Sequence, residues 1–383
     1  MVRRGQSEWR GEKKALGPTT GNQIPDSGTP ADDRDTRKTI VMEIHAVGID
    51  LGKTLFHLVG LDSTGAVVVR KRCSRAQLLA FTANIRAGLI GMEACSGSHF
   101  LARKLQEQGH QVRLLPAQYV KPYVKTNKSD FIDAEAIAEA VQRPTMRFVP
   151  PKTEAQLDLQ AVHRVRERWV MRRTAVVNQI RGLLLERGIT LPKGRNHLEE
   201  ALPEILADAH LRFSECISVL LAQLGTELGQ LAARVEKMDE LIARTSKENE
   251  ACQRLTTIPG VGPVTATALV AAIGNGSAFR KGRDLAAWVG MVPREYSTGG
   301  KQKLLGISKH GNSYLRRLFV QCARSILRFR EKQGAPFGGW LTQLMSRSPQ
   351  NVVVVALANK LLRTAWAVLL KNEPYRNIAV AAV

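Results

Sequence analysis

Two short apolar runs in this chain each end on an acid: Ala46-Val47-Gly48-Ile49-Asp50 and Leu89-Ile90-Gly91-Met92-Glu93. Each reads as a buried strand that delivers a carboxylate at its C-terminal end. A third stretch, Lys128-Ser129-Asp130-Phe131-Ile132-Asp133-Ala134-Glu135, opens an alanine-rich run to about Gln142 and reads as the first turn of a helix. Its two aspartates, three residues apart, share one helical face. Acids in a first turn are usually caps that suit the helix dipole. Four carboxylates delivered from two strands and one helix are more than capping needs. They are the donor set of a divalent-metal site for phosphoryl chemistry, with Mg²⁺ or Mn²⁺ as the expected ion.

The surrounding pattern frames these acids. Thr54–Leu61 and Ala66–Arg72 flank the turn Asp62-Ser63-Thr64-Gly65 and predict a hairpin. Ser74 is placed to cap a helix running to about Arg86; Ser98–Gln108 predicts a second helix and Gln111–Leu115 a fifth strand. Three antiparallel strands followed by alternating helix and strand is the order of an RNase H-like layered α/β domain. Two phosphate-loop readings of the first strand fail. Val47 stands where a P-loop needs its first glycine, and an actin-like sugar kinase would need a second such domain where this chain is helical and basic.

From about Thr153 the apolar period becomes helical. Val162, Val165, Trp169, Val176, Ile180 and Leu183 form a stripe interspersed with Arg164, Arg166, Arg168, Arg172, Arg173 and Arg181. These arginines read either as a solvated face or as a helix lying beside a nucleic-acid backbone. After a break over Gly188–Asn196, Ile217, Leu221, Leu224, Leu228, Leu231, Val235, Met238 and Ile242 repeat in steps of four and three, a heptad seam. Its partner is either another helix of this chain or a second protomer.

Leu255-Thr256-Thr257-Ile258-Pro259-Gly260-Val261-Gly262-Pro263 then matches a helix-hairpin-helix, whose backbone N–H groups around Gly260 and Gly262 can hold a phosphate without reading bases. The same pattern also serves as a packing corner. Arg294–Arg330 carries nine Lys or Arg against one acid, Glu295. Within it, Tyr296-Ser297-Thr298-Gly299-Gly300-Lys301-Gln302-Lys303 and Ile307-Ser308-Lys309-His310-Gly311-Asn312 mix glycines and hydroxyls with cations, as close approach to phosphates requires. Lys301, Lys303, Lys309, Arg316 and Arg317 are the expected nucleic-acid contacts; the plainer reading is a polar turn before a helix over Ser313–Arg330.

Composition narrows the partner. A formal net charge of +22 on 383 residues favours a polyanion, nucleic acid ahead of a membrane surface. The most apolar stretch, Asn351–Leu370, is interrupted by Asn359, Lys360 and Arg363 and reads as a buried or amphipathic helix rather than a membrane span. Five scattered cysteines without a C-x-x-C pair indicate neither disulfides nor a zinc site, which fits a reducing cytoplasm. Residues 1–42, poor in apolar side chains, are expected to be disordered and dispensable, and Met42 is an alternative start.

Taken together, Asp50, Glu93, Asp130 and Asp133, then P-G-V-G-P, then Y-S-T-G-G-K resemble the DEDD transposases of the bacterial insertion-sequence one-ten family, in its eleven-eleven branch. The resemblance covers about Ala46–Arg330. Leu305 departs from it, standing where a small residue is expected. It implies a RuvC-like N-terminal domain, a helical coiled-coil connector and a mainly helical C-terminal transposase domain. It also implies recombination of donor and target DNA directed by a structured bridge RNA, with the four acids as metal ligands and Ser297 as the nucleophile that forms a phosphoserine link. Tyr296 is the adjacent rival. A homo-oligomer, dimer or tetramer, follows from the need for several nucleophiles, and a bacterial cytoplasmic, nucleoid-associated location from the DNA substrate.

The expected divisions are a tail over 1–42, the RuvC-like domain over 43–150, the coiled-coil region over 151–250, the transposase domain over 251–345 and a C-terminal helix and tail over 346–383. Two other functions remain open on the residues alone. One is a RuvC-like nuclease that hydrolyses DNA junctions with the acids only; the other is a non-catalytic DNA-binding architectural protein.

Overall fold

The first 32 described residues, from Glu43, build a three-stranded antiparallel meander: β1 (Ile44–Leu51), β2 (Leu55–Leu61) and β3 (Val67–Ser74). The computed structural model describes residues 43–125, 129–329 and 337–376. The expected disorder of residues 1–42 therefore lies outside the described residues, as do Lys128 and Arg330.

Ser74 caps α1 (Arg75–Ala83) through a reciprocal box with Gln77. Then come β4 (Ala87–Glu93), α2 (Ser98–Glu107) and β5 (Val112–Leu115). β4 joins β1 in parallel and β5 joins β4 in parallel, giving the mixed order β3-β2-β1-β4-β5. β1 and β4 lie inside the sheet, which is why their apolar runs are continuous. β3, at the edge, carries Arg70, Lys71 and Arg72, charges that discourage further strand pairing.

The two faces of the sheet are covered differently. On one, Val47, Ile49, Leu58, Ile90 and Met92 pack with Leu78 of α1 and Leu101 and Leu105 of α2. After the single turn α3 (Ala117–Val120), the other face receives α4 (Asp130–Ala140). Gly48 and Gly91 form one rung between β1 and β4 and supply its floor. A β-carbon on Gly48 would lie 2.0 Å from the Ala134 carbonyl oxygen, and one on Gly91 would lie 2.8 Å from Val141 Cβ. Small residues above and none below let helix and sheet touch backbone to backbone.

Thr153, with Gln156, caps the long α5 (Glu154–Leu185), followed by α6 (Arg195–Ala207), the short α7 (Ala209–Arg212) and α8 (Glu215–Glu248). α5 and α8 run antiparallel, tied by Arg166–Asp239 at 2.5 Å and Arg172–Glu227 at 3.0 Å. The heptad residues Leu221, Leu228 and Leu231 are buried with Val176, Ile180 and Leu184 of α5 and Leu198 and Leu202 of α6. None of the eight seam residues is exposed. Most of the seam is thus filled within one chain, with Ile217, Leu224 and Met238 half-buried.

The remainder is mainly helical: α9 (Glu250–Thr256), α10 (Pro263–Ile273), α11 (Gly282–Val289), the strands β6 (Pro293–Thr298) and β7 (Lys301–Ile307), α12 (Ser313–Phe329), α13 (Gly338–Arg347) and α14 (Gln350–Lys371). Their shared core includes Leu255, Leu269, Leu285, Phe319, Leu357 and Leu361. By length and composition α8 and α14 could each cross a membrane. In the fold, α14 buries Val353, Leu357, Leu361 and Leu362 against α9–α12, as the interrupted apolar run predicts.

α5 is fastened to this core by a buried polar knot. His163 meets the Tyr314 hydroxyl through Nδ1 and the Thr267 hydroxyl through Nε2, each at 3.0 Å. Burial holds this imidazole neutral, its pKa lowered to about 4.

Candidate active site

Strand register assembles the site. Asp50 lies two residues beyond Gly48 and so on the α4 face, because side chains alternate along a strand. Glu93 ends β4, one rung past the Ile49–Met92 pair. The first turn of α4 contributes Asp130 and Asp133, held over the same end of the sheet by the Gly48–Gly91 floor.

Across the β1–β2 pairing, the direct partner of Asp50 is His57. Its Nδ1 stands 3.5 Å from Asp130 Oδ2. One donor atom each from Asp50, His57 and Asp130 lie within 4.8 Å of one another. The His57 ring meets Phe131 edge-on, centroids 4.8 Å apart.

The four acids share one electrostatic neighbourhood. Burial pushes the Asp50 carboxyl up, and the charges of Asp133 and then Asp130 push it further, partly offset by His57. Burial likewise raises Glu93, followed by the charges of Asp50 and Asp133. The neighbouring acids of α4 are neutralised: Glu135 pairs with Arg70 at 3.0 Å and Glu139 with Lys125 at 2.5 Å. Among the described residues, no Lys or Arg pairs with Asp50, Glu93, Asp130 or Asp133. Clustered carboxylates with no Lys or Arg paired to them fit a divalent ion, whose charge would reverse the repulsion.

Ser297 lies elsewhere, on the β6–β7 ribbon. Gly299 and Gly300, at φ 55° and 76°, make the two-residue turn that joins the strands. Ser297 pairs with Gln302, Tyr296 with Lys303, and Thr298 with Lys301. The Ser297 hydroxyl donates a 2.6 Å hydrogen bond to Glu295 Oε1. That bond, with one from Gln302, draws the Glu295 carboxyl below its usual range.

The ribbon's root is stiff. Arg316 donates to the Val289 carbonyl at 2.7 Å, and a β-carbon on Gly311 would lie 1.8 Å from the Trp288 carbonyl oxygen. Between Pro293 and Glu295 the pairing shifts by one, so Leu305 and Gly306 together oppose Arg294.

Comparison with known proteins agrees over both regions. A model of DEDD transposases of the IS110 group matches residues 47–188, and the model of the transposase IS116/IS110/IS902 family matches 252–337. The transposase for insertion sequence element IS1328 of Yersinia enterocolitica is 43% identical, over 84% of this chain and 96% of its own length. The transposase for insertion sequence element IS1111A of Coxiella burnetii is 41% identical, over 89% of this chain and 93% of its own. The chain belongs to the IS110 family of transposases. A more distant relative, the pilin gene-inverting protein of Moraxella bovis, is 26% identical over 70% of this chain and 74% of its own length.

In this transposase Asp50 and Asp130 bring ligand atoms within 4.8 Å of each other, Asp133 and Glu93 are tied to Asp50 through their charges, and Ser297 does not join them. Among the described residues no hydrogen bond, ion pair or substantial packing links the ribbon to the acidic end of the sheet. The ribbon also separates Ser297 from cations expected to assist it. Cross-strand partners share a face, so Lys301 and Lys303 lie with Tyr296 and Thr298, whereas Ser297 lies with Glu295, Gln302 and Leu304.

The other expected nucleic-acid contacts divide similarly. Gly260, at φ 77°, turns the chain between α9 and α10, where a β-carbon would lie 2.7 Å from Ile326 Cγ1, so its missing side chain permits close packing there. Gly262, the N-cap of α10, has open space around it. Lys309 adopts φ 56° just after the ribbon. Arg316 is spent on the ribbon's root, and Arg317 pairs with Glu167 and lies over the Tyr314 ring. Along α5, Arg166 and Arg181 serve the fold, Arg181 by donating to the carbonyls of Leu191, Pro192 and Gly194. Arg164, Arg168 and Arg172 are exposed beside the outward Met171.

Sequence reasoning missed His57. Its signal was the hairpin register, since a short connection between β1 and β2 sets residue 57 opposite residue 50.

Proposed function

We propose that this transposase cuts and rejoins DNA through a phosphoserine link at Ser297, in a site completed by Asp50, Glu93, Asp130 and Asp133, with a structured guide RNA selecting donor and target. The observation that carries this reading is the acidic group in which Asp133 and Asp130 raise Asp50, and Asp50 and Asp133 raise Glu93, with no Lys or Arg paired to any of the four among the described residues. Mg²⁺ or Mn²⁺ held by these carboxylates would neutralise charge developing on the phosphoryl oxygens. Ser297 Oγ attacks phosphorus, and the bond from phosphorus to the leaving deoxyribose oxygen breaks. Glu295 orients the hydroxyl and is the nearest acceptor for its proton. One phosphodiester is exchanged for another, so rejoining needs no high-energy cofactor.

The strand order β3-β2-β1-β4-β5 supports a RuvC-like, RNase H-like domain over 43–150. On the same reading 151–250 is the coiled-coil region and 251–345 the transposase domain, with α9, the Gly260 turn and α10 as its helix-hairpin-helix. Residues 346–383 follow as the C-terminal helix and tail. The net charge of +22 supports RNA as well as DNA binding. A relative named for inverting a gene supports rejoining as well as cleavage. The working location is the bacterial nucleoid.

The separation of Ser297 from the acids supports a site shared between protomers of a dimer or tetramer. The test mixes Asp50→Asn and Ser297→Ala proteins with DNA and guide RNA. A shared site gives a serine–DNA adduct carried only by the Asp50→Asn protomer. Mixed assemblies without any adduct would place the whole site in one chain. Mg²⁺-dependent nicking with no adduct in the wild type would instead mark a hydrolytic nuclease. Only random cellular RNA surviving a high-salt wash would remove the guide from the proposal.

A further inference from the structure

We infer that His57 gives the carboxylate site a nitrogen ligand, and that this donor tilts the site from Mg²⁺ toward Mn²⁺. The inference rests on the reading that the acids hold a divalent ion, and it concerns a side chain outside the acidic quartet.

Three observations point to it. His57 is the cross-strand partner of Asp50, so backbone register alone keeps the imidazole beside that carboxylate on the α4 face. Its Nδ1 stands 3.5 Å from Asp130 Oδ2, and donors of Asp50, His57 and Asp130 lie within 4.8 Å of one another. Two ligands each about 2.1 Å from one ion stand roughly 3–4 Å apart, so small side-chain adjustments suffice.

The ring is also held in place. Its side chain is 12% exposed, Phe131 meets it edge-on, and among the described residues it forms no hydrogen bond that would occupy Nδ1 elsewhere. An imidazole left free beside two carboxylates is a metal donor held ready.

The donor type sets the preference. Mg²⁺ demands a near-octahedral shell of oxygens and keeps several waters. Imidazole suits first-row transition-metal ions better than Mg²⁺, and Mn²⁺ is the ion of that series that shares the octahedral oxygen preference of Mg²⁺ and so suits the carboxylates as well. A site of carboxylates alone lacks that distinction.

The experiment uses the full-length protein with Mn²⁺ as the probe. Electron spin echo envelope modulation of bound Mn²⁺ should show ¹⁴N coupling in the wild type and none in His57→Gln. Protein carrying ¹⁵N-histidine should show the corresponding ¹⁵N coupling, a measurement that needs no variant and so stands even if His57→Gln folds poorly. Titration of free Mn²⁺ by continuous-wave resonance should show about a tenfold weaker affinity in His57→Gln, while Mg²⁺, measured by competition, changes less than about threefold.

Mn²⁺ that binds the wild type without nitrogen coupling, or coupling that persists in His57→Gln, would overturn the role of His57 and leave the carboxylate site standing. Mn²⁺ binding unchanged in Asp50→Asn would overturn the metal site itself and the inference with it.

Discussion

Gly48 sits directly beneath Ala134, so close that a β-carbon on the glycine would lie 2.0 Å from the alanine's carbonyl oxygen. Backbone cannot yield as a flexible side chain can. Gly48→Ala should therefore lift α4 from the sheet, costing about 1–3 kcal/mol of stability and moving Asp130 and Asp133 away from Asp50. Gly91→Ala meets the Val141 side chain at 2.8 Å and should cost less. Denaturant unfolding of both variants checks the order; equal costs would mean that α4 does not rest on Gly48.

Asp50 and Glu93 are pushed up by burial first and by neighbouring acids second. A carboxyl raised in the folded state binds protons more readily there than in the unfolded chain. Without metal, these two groups should make the protein more stable as pH falls from neutrality through their folded pKa values. Asp50→Asn should raise the melting temperature in chelator at pH 7 and abolish DNA cleavage. Added Mn²⁺ should stabilise the wild type and not the variant. A lower melting temperature for Asp50→Asn in chelator would contradict this.

His163 titrates in the opposite sense. Its pKa is lowered to about 4 from an ordinary 6.5. The stabilising contribution of the neutral ring is complete above pH 6.5 and is lost as pH falls toward 4, up to about 3 kcal/mol. His99, lowered to about 4 by burial and then by Lys152, Arg103 and Arg164, adds in the same window. His163→Gln can still bond Tyr314 or Thr267 but does not titrate. Thermal melts between pH 6.5 and 4.5 should show a shallower loss for the variant than for the wild type; parallel losses would exclude His163 as a cause.

Much of this was legible in the chain. The two acid-tipped runs and the aspartate-led helix needed only strand and helix periodicity, and Ser74 marked its helix start as a cap should. The β6–β7 ribbon reads from sequence as a polar turn; nearly all its residues are exposed, so neither strand carries the alternation of burial that betrays a strand. Gly299-Gly300 was the available signal. The heptad seam stated that one face of α8 is covered but not by what; a helix of the same chain and a helix of another bury the same atoms.

Glu295 should matter because Ser297 donates to it at 2.6 Å. If the carboxylate orients the hydroxyl and takes its proton, Glu295→Ala should slow formation of the serine–DNA adduct on the order of a hundredfold. DNA affinity should hold, since removing an exposed acid does not weaken binding to a polyanion. Single-turnover trapping of the adduct, alongside a binding titration, separates the two. Undiminished trapping would leave Glu295 as a surface acid only.

The one-residue shift near Leu305 and Gly306 has a consequence for charge. Were β7 to pair with β6 straight from its root at Pro293 and Ile307, the residue opposite Ser297 would be Lys303. The shift makes it Gln302 and hands Lys303 to Tyr296. The ribbon thus behaves like a parity check: one surplus residue assigns a neutral amide to the alcohol and an ammonium to the phenol.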